Sequence, residues 1–202
     1  MFRIVSRLFV AATLLASSSA WATSPFTGKT GKLTVDITGG DTSFTFDGPA
    51  AVGPIKGLAS GATGQFTIGD AADLATTKGS VKVAVKDMKT GNPTRDQHMQ
   101  AAEWLDAGKA PHIVFELQGL GGLTVEGNKA KGTATGTLSV RGTTKPVTVP
   151  VTVTVNKELT MVKLEAKFTV SRANFGIVGK KMPGMEVGDV ITVETTVKGA
   201  VK

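Results

Sequence analysis

Cysteine and tyrosine are both absent from the 202 residues, and only two tryptophans and two histidines occur. Without cysteine there is no disulfide, no thiol nucleophile and no thiolate metal ligand, so the fold must be held by its core alone. With only His98 and His112 available, a metal site would need a third ligand, and no spacing supplies one. No G-x-S-x-G occurs, and Gly28-Lys29-Thr30 lacks the earlier glycine of a phosphate loop. No catalytic residues, metal or cofactor are therefore expected. Long charge runs are missing too. Lys and Arg number 23 against 16 Asp and Glu, and the net charge of +7 is dispersed. It reads as a solubility charge, and nucleic-acid binding is not indicated.

Long apolar runs are also lacking. The longest, Leu8 to Leu15, is about half of what a membrane span needs. It follows Arg3 and Arg7 and precedes Ala20-Trp21-Ala22, which places small residues at both positions a signal peptidase reads. This three-part pattern predicts a secretory leader over residues 1–22, cleavage before Thr23 and a destination in the periplasm or outside the cell. Residues 23–202 then suit one domain.

What is present is strict alternation. Val162, Leu164, Ala166, Phe168 and Val170 share one face of a run whose other face carries Lys163, Glu165, Lys167 and Thr169. Val147 to Val155 has valine at every odd position, and Thr133–Val140 and Ile191–Val197 alternate likewise. Shorter runs are Leu33/Val35/Ile37, Phe44/Phe46, Phe66/Ile68, Val81/Val83/Val85 and Ile113/Phe115/Leu117. Period-two patterning with one apolar face marks half-buried antiparallel strands. Turns are expected at Gly39-Gly40-Asp41, Gly121-Gly122, Glu126-Gly127-Asn128 and Arg141-Gly142-Thr143. About eight to ten short strands at this spacing form a sandwich or barrel. One helix of about three turns is expected over Thr94–Leu105, with Thr94 as its N-cap, and a shorter helical turn over Ala71–Thr77.

The apolar face could point inward, as in a soluble barrel, or outward to lipid. An outer-membrane barrel carries aromatic girdles, which a chain without tyrosine cannot supply, so the apolar face is placed inside. That interior is aliphatic, with small residues at Ala134, Gly136 and Ala166. Eight strands enclose a space that side chains either fill or leave open for one ligand. Small inward residues favour the second outcome, and the lining suits an uncharged hydrocarbon.

Four stretches carry a resemblance. They are Arg95-Asp96-Gln97-His98 with Trp104-Leu105-Asp106 and Pro111-His112-Ile113-Val114-Phe115; Gly136-Thr137-Leu138-Ser139-Val140-Arg141-Gly142-Thr143-Thr144-Lys145-Pro146-Val147; Phe168 to Ile177; and Val187-Gly188-Asp189-Val190-Ile191. In order and spacing they resemble the YceI-like family of exported lipid-binding proteins. The resemblance implies an all-β fold, an eight-stranded antiparallel lipocalin-like barrel with one short helix, and a periplasmic setting. It implies a long isoprenoid ligand, a polyprenyl chain or an isoprenoid quinone, lying in the barrel.

The candidate ligand-binding residues are accordingly Ala134, Gly136, Leu138, Ala166, Phe168, Phe115 and Phe175, with Arg95, His98 and Arg172 near a headgroup. Each polar one has a structural alternative. Arg95 and Asp96 could form a pair at the helix start, His98 could cap or pack, and Arg172 could fix the loop carrying Phe175. The basic, Met-containing loop Gly179–Met185 could touch an anionic bilayer transiently or simply be solvated. The leading function is a non-catalytic carrier or store of an apolar lipid. The alternative is a ligand-free structural or stress-response module acting through a barrel edge.

Overall fold

The structure, a computed structural model, describes residues 24–48, 52–178 and 187–202. The leader with its cleavage motif and the loop Gly179–Met185 lie outside the described residues. The strands are β1 (Leu33–Asp47), β2 (Pro54–Ser60), β3 (Thr63–Asp70), β4 (Asp73–Ala84), β5 (Met88–Lys89), β6 (His112–Glu126), β7 (Lys129–Val140), β8 (Thr143–Val155), β9 (Met161–Ser171) and β10 (Val190–Val201). One α-helix, α1 (Pro93–Gln100), lies between β5 and β6.

These strands make eight staves. β2 and β3 run one after the other along β1, broken at Gly61-Ala62, and β5 extends β4 in the same way beyond a 3₁₀ turn. All pairings are antiparallel, and β1 pairs β10, which closes the barrel. The alternation seen in the sequence sends Val153, Val162 and Val197 inside. The opposite face carries ion pairs such as Lys167 with Glu194 at 2.6 Å. The apolar face is the inner one.

Two expected glycine turns are strand interior instead. Gly39 and Gly40 lie within β1, which continues past a bulge after Ile37. Gly40 has φ 149°, and a Cβ there would run into the Thr196 carbonyl of β10. The glycines serve close strand approach and bending, not chain reversal. Gly121-Gly122 similarly sits inside β6, at a bulge where Gly121 and Thr124 both still pair with β7. The helix also differs. Asn92, not Thr94, caps it, its side chain accepting the Arg95 N–H at 3.1 Å, with Pro93 in the first turn where no amide donor is needed. It ends at Gln100 after about two turns, and the chain leaving it lays Trp104 and Leu105 against the barrel. Ala71–Thr77 holds no helical turn. Asp70 and Asp73 accept the N–H groups of Ala72 and Ala75, which makes a tight turn leading into β4.

Pairing between β8 and β9 is incomplete. It covers only Val151–Val155 against Val162–Ala166, although both strands continue. Val155 donates to Asn128 on the β7 side and Asn156 to Met161 on the β9 side, so even-numbered amides of β8 face β9. Pro146 and Pro150 are even-numbered and have no amide hydrogen, which ends the ladder after Val151. The segment after β9 covers the resulting seam, with Phe175 and Ile177 buried.

Asp96 anchors α1 to the end of β5. It is 7% exposed and accepts both the N–H and the hydroxyl of Thr90 at 2.7 Å. Burial pushes its carboxyl up, but the two Thr90 hydrogen bonds prevail and hold it below the ordinary value of 3.8. Its folded pKa is therefore below its unfolded one, so its stabilisation is present above about pH 4 and fades as pH falls through the folded value. Asp96→Ala should lower stability by about 1–3 kcal/mol at pH 7, because the Thr90 amide loses its partner. Urea titrations at pH 7 and pH 3 check this. The difference from the parent should shrink at the lower pH.

Candidate functional site

The barrel interior holds a cavity of about 700 Å³. Two apolar clusters build its wall. The lower one centres on Phe26, Val35, Phe66, Leu74, Val153 and Val197, and the upper one on Phe44, Leu138, Val140, Phe175 and Ile177. Both clusters form because alternate residues of every stave point inward. The floor is Phe26, from the non-strand segment ahead of β1; it is 2% exposed and lines the cavity. The mouth lies at the other end, under α1, where Met99, Trp104 and Leu105 reach the cavity.

Nine of the ten expected ligand-binding residues line this cavity: Ala134, Leu138, Ala166, Phe168, Phe115, Phe175, Arg95, His98 and Arg172. Gly136 is not among the lining residues. A Cβ at Gly136 would run into the Glu116 carbonyl, so its missing side chain allows β6 and β7 to approach and adds no space to the lumen.

The polar groups gather at the mouth. Asp96 turns away from Arg95 to Thr90, so the expected Arg95–Asp96 pair does not form as a direct bond, and Arg95 reaches the cavity beside His98 and Glu103. Arg172 lines the cavity and also organises its loop. Its guanidinium donates to the carbonyls of Gly188, Ile177, Val178 and Val187 at 2.6–3.0 Å and lies 5.9 Å from the Trp104 ring centre. Arg141 completes the clamp by donating to the carbonyls of Gly176 and Ala102. Among the described residues, no three His, Asp or Glu converge as metal ligands would.

The sequence pattern did not reveal several of these positions. Phe26 stands outside any alternating run, and Arg141 looked like part of a hairpin turn. An aromatic so soon after the expected cleavage point is the signal that could have found Phe26. Thr42 and Thr195 also face the cavity, and their hydroxyls lie 2.8 Å apart. Alternation places Thr195 on the inward face with Val193 and Val197, but threonine is ordinary on either face of a strand, so nothing marked the pair.

This geometry has known counterparts. The fold is similar to BcnA of Burkholderia cenocepacia, with TM-score 0.64 and 20% identity over 79% of this chain and 95% of that one. It is also similar to a polyisoprenoid-binding domain from Saccharophagus degradans, with TM-score 0.66 and 11% identity over 84% and 98%. At these identities the likeness is one of fold. Among curated proteins, a UPF0312 protein of Vibrio parahaemolyticus is 30% identical over 47% of this chain and 48% of its own length. One of Vibrio campbellii is 27% identical over 62% and 64%. The chain thus spans about half to two thirds of the length of these curated relatives. The YceI-like domain pattern matches residues 33–199, from the first barrel strand to the last, and the chain belongs to the YceI-like domain family.

Proposed function

We propose that this protein is an exported, non-catalytic carrier or store of an uncharged long-chain lipid of isoprenoid type, a polyprenyl chain or an isoprenoid quinone. One observation carries the reading: the apolar cavity of about 700 Å³ that runs from Phe26 to the mouth under α1. Its size falls in the range of ordinary ligand sites. Each ligand CH₂ moved from water to such a lining gains roughly 0.8 kcal/mol, whereas a charge placed mid-lumen would be unpaired. The polyisoprenoid-binding description of the Saccharophagus neighbour agrees with this ligand class. Arg95 and His98 stand at the mouth, available to a polar group there. A lumen filled by side chains would have favoured the structural module instead.

Export rests on the leader pattern of residues 1–22. Ser24, Pro25 and Phe26, which directly follow the expected cleavage point, are buried. Brief contact between the mouth and an anionic bilayer would let a lipid pass without crossing water, and the basic, Met-containing sequence Gly179–Met185 has the composition for that step.

Two variants test the cavity. Ala166→Phe places a ring in the lumen and should abolish uptake of a fluorescent apolar dye and of polyprenol, with little change in thermal unfolding. If Ala166 were already packed, the ring would instead cost roughly 1–3 kcal/mol and leave uptake per folded molecule unchanged. Phe26→Ala removes the floor. It should lower stability by about 3–5 kcal/mol, as for other buried aromatics, and extend the longest polyprenol accepted. Competition across a chain-length series reads the second effect, and an unchanged length limit would show that Phe26 is not the floor for ligand.

A further inference from the structure

We propose that the Thr42–Thr195 hydroxyl pair is a polar anchor inside the barrel that takes a neutral oxygen of the ligand, such as a carbonyl, ether or hydroxyl oxygen. This rests on the carrier reading above and narrows its ligand class.

The pair sits between the two apolar clusters. Along β1, Thr42 precedes Phe44 of the upper cluster; along β10, Thr195 precedes Val197 of the lower one. Thr42 and Thr195 are direct cross-strand partners, and their hydroxyl oxygens are 2.8 Å apart. Two hydroxyls bring two hydrogens and several lone pairs, of which the mutual bond uses one hydrogen and one lone pair. Neither hydroxyl has a second protein partner among the described residues, so one hydrogen is left to donate. Both groups line the cavity.

The wall around the pair has been left low. Ala59 pairs with Thr42 on one side and Ala166 with Thr195 on the other. This leaves four adjacent staves with small side chains at one level, and the free hydroxyl hydrogen has open lumen before it. Among the described residues, no other polar lining group is placed this way. Thr77 donates its hydroxyl to the Leu74 carbonyl. Lys82 is exposed near the end of β4, and the rest stand at the mouth on α1, beside it, or on the loop after β9.

A pure hydrocarbon gains nothing from this arrangement. Valine occupies the neighbouring inward positions Val193 and Val197, and a Val–Val pair would serve an alkyl chain better. An ionised carboxylate is not favoured, because the pair and its cross-strand neighbours Ala59 and Ala166 carry no charge to balance it. A neutral acceptor fits the spare donor, and one such bond is worth roughly three- to tenfold in affinity.

The test compares 8-pentadecanone with pentadecane in displacing a fluorescent apolar dye from the full protein. The quantity read is the ratio of ketone to alkane affinity, normalised to the same ratio in the variant, which cancels their different water solubilities. In Thr42→Val/Thr195→Val the ratio should fall roughly three- to tenfold with alkane affinity unchanged, and Thr42→Ser/Thr195→Ser should keep the parental ratio. If the double valine variant loses its unfolding transition, Thr42→Ala/Thr195→Ala, which also removes both hydroxyls, supplies the comparison. An unchanged ratio would overturn the anchor, including the case in which the pair merely satisfies itself or holds water, and would leave the carrier reading standing. If the dye, the ketone and the alkane all fail to bind the parent protein, the carrier reading falls and the anchor with it.

Discussion

Hydrogen-bonded closure of β1 against β10 is the constraint from which the rest follows. Once eight staves are closed, the circumference is set by strand number and stagger, not by what fills the middle. An open sheet could flatten or slide to bury small residues; a closed barrel cannot. Alanine or threonine facing inward at one level therefore becomes space. The two ends solve the matter differently. At the base, Phe26 from outside the sheet seals the lower cluster, while at the other end α1 and the loop after β9 frame a polar mouth.

The same closure explains the arginine clamp. Pro146 and Pro150 end the β8–β9 ladder early, so closure near the mouth is not completed by backbone pairing. Side chains complete it. Arg172 and Arg141 together bind six carbonyls of the covering segments, which would otherwise be half-satisfied at a barrel rim. Phe175 and Ile177 are thereby held in the wall. Carbonyl capture by arginine is a role that either residue could hardly cede to lysine, which lacks the planar fork.

Much of the barrel was legible in the sequence, because period-two alternation is a local signal and β7, β8, β9 and β10 carry it without interruption. Leu138, Ala166 and Phe168 could be assigned inward from parity alone. Glycine was harder. Gly39-Gly40 and Gly121-Gly122 look like reversals, yet they lie inside strands beside bulges, and Gly136 looks like space, yet it is a contact; the difference lies in the neighbouring strand, which the local sequence does not contain. The helix was shortened for a similar reason. Helix-forming residues continue to Leu105, but burying Trp104 and Leu105 against the barrel outweighs a third turn. Phe26 and Arg141 owe their places wholly to tertiary contacts, as does the meeting of Thr42 with Thr195 across 153 residues of chain.

A closed barrel that holds its lumen open for a lipid in a mature, exported chain should be recovered with that lipid inside. Native mass spectrometry of protein purified from its own cell envelope tests it most directly. The expected result is a chain beginning at Thr23 that carries a neutral adduct of lipid mass, released on collisional activation or solvent extraction. A chain of bare mass that takes up neither polyprenol nor isoprenoid quinone, or one that retains Met1 in the envelope fraction, would contradict it.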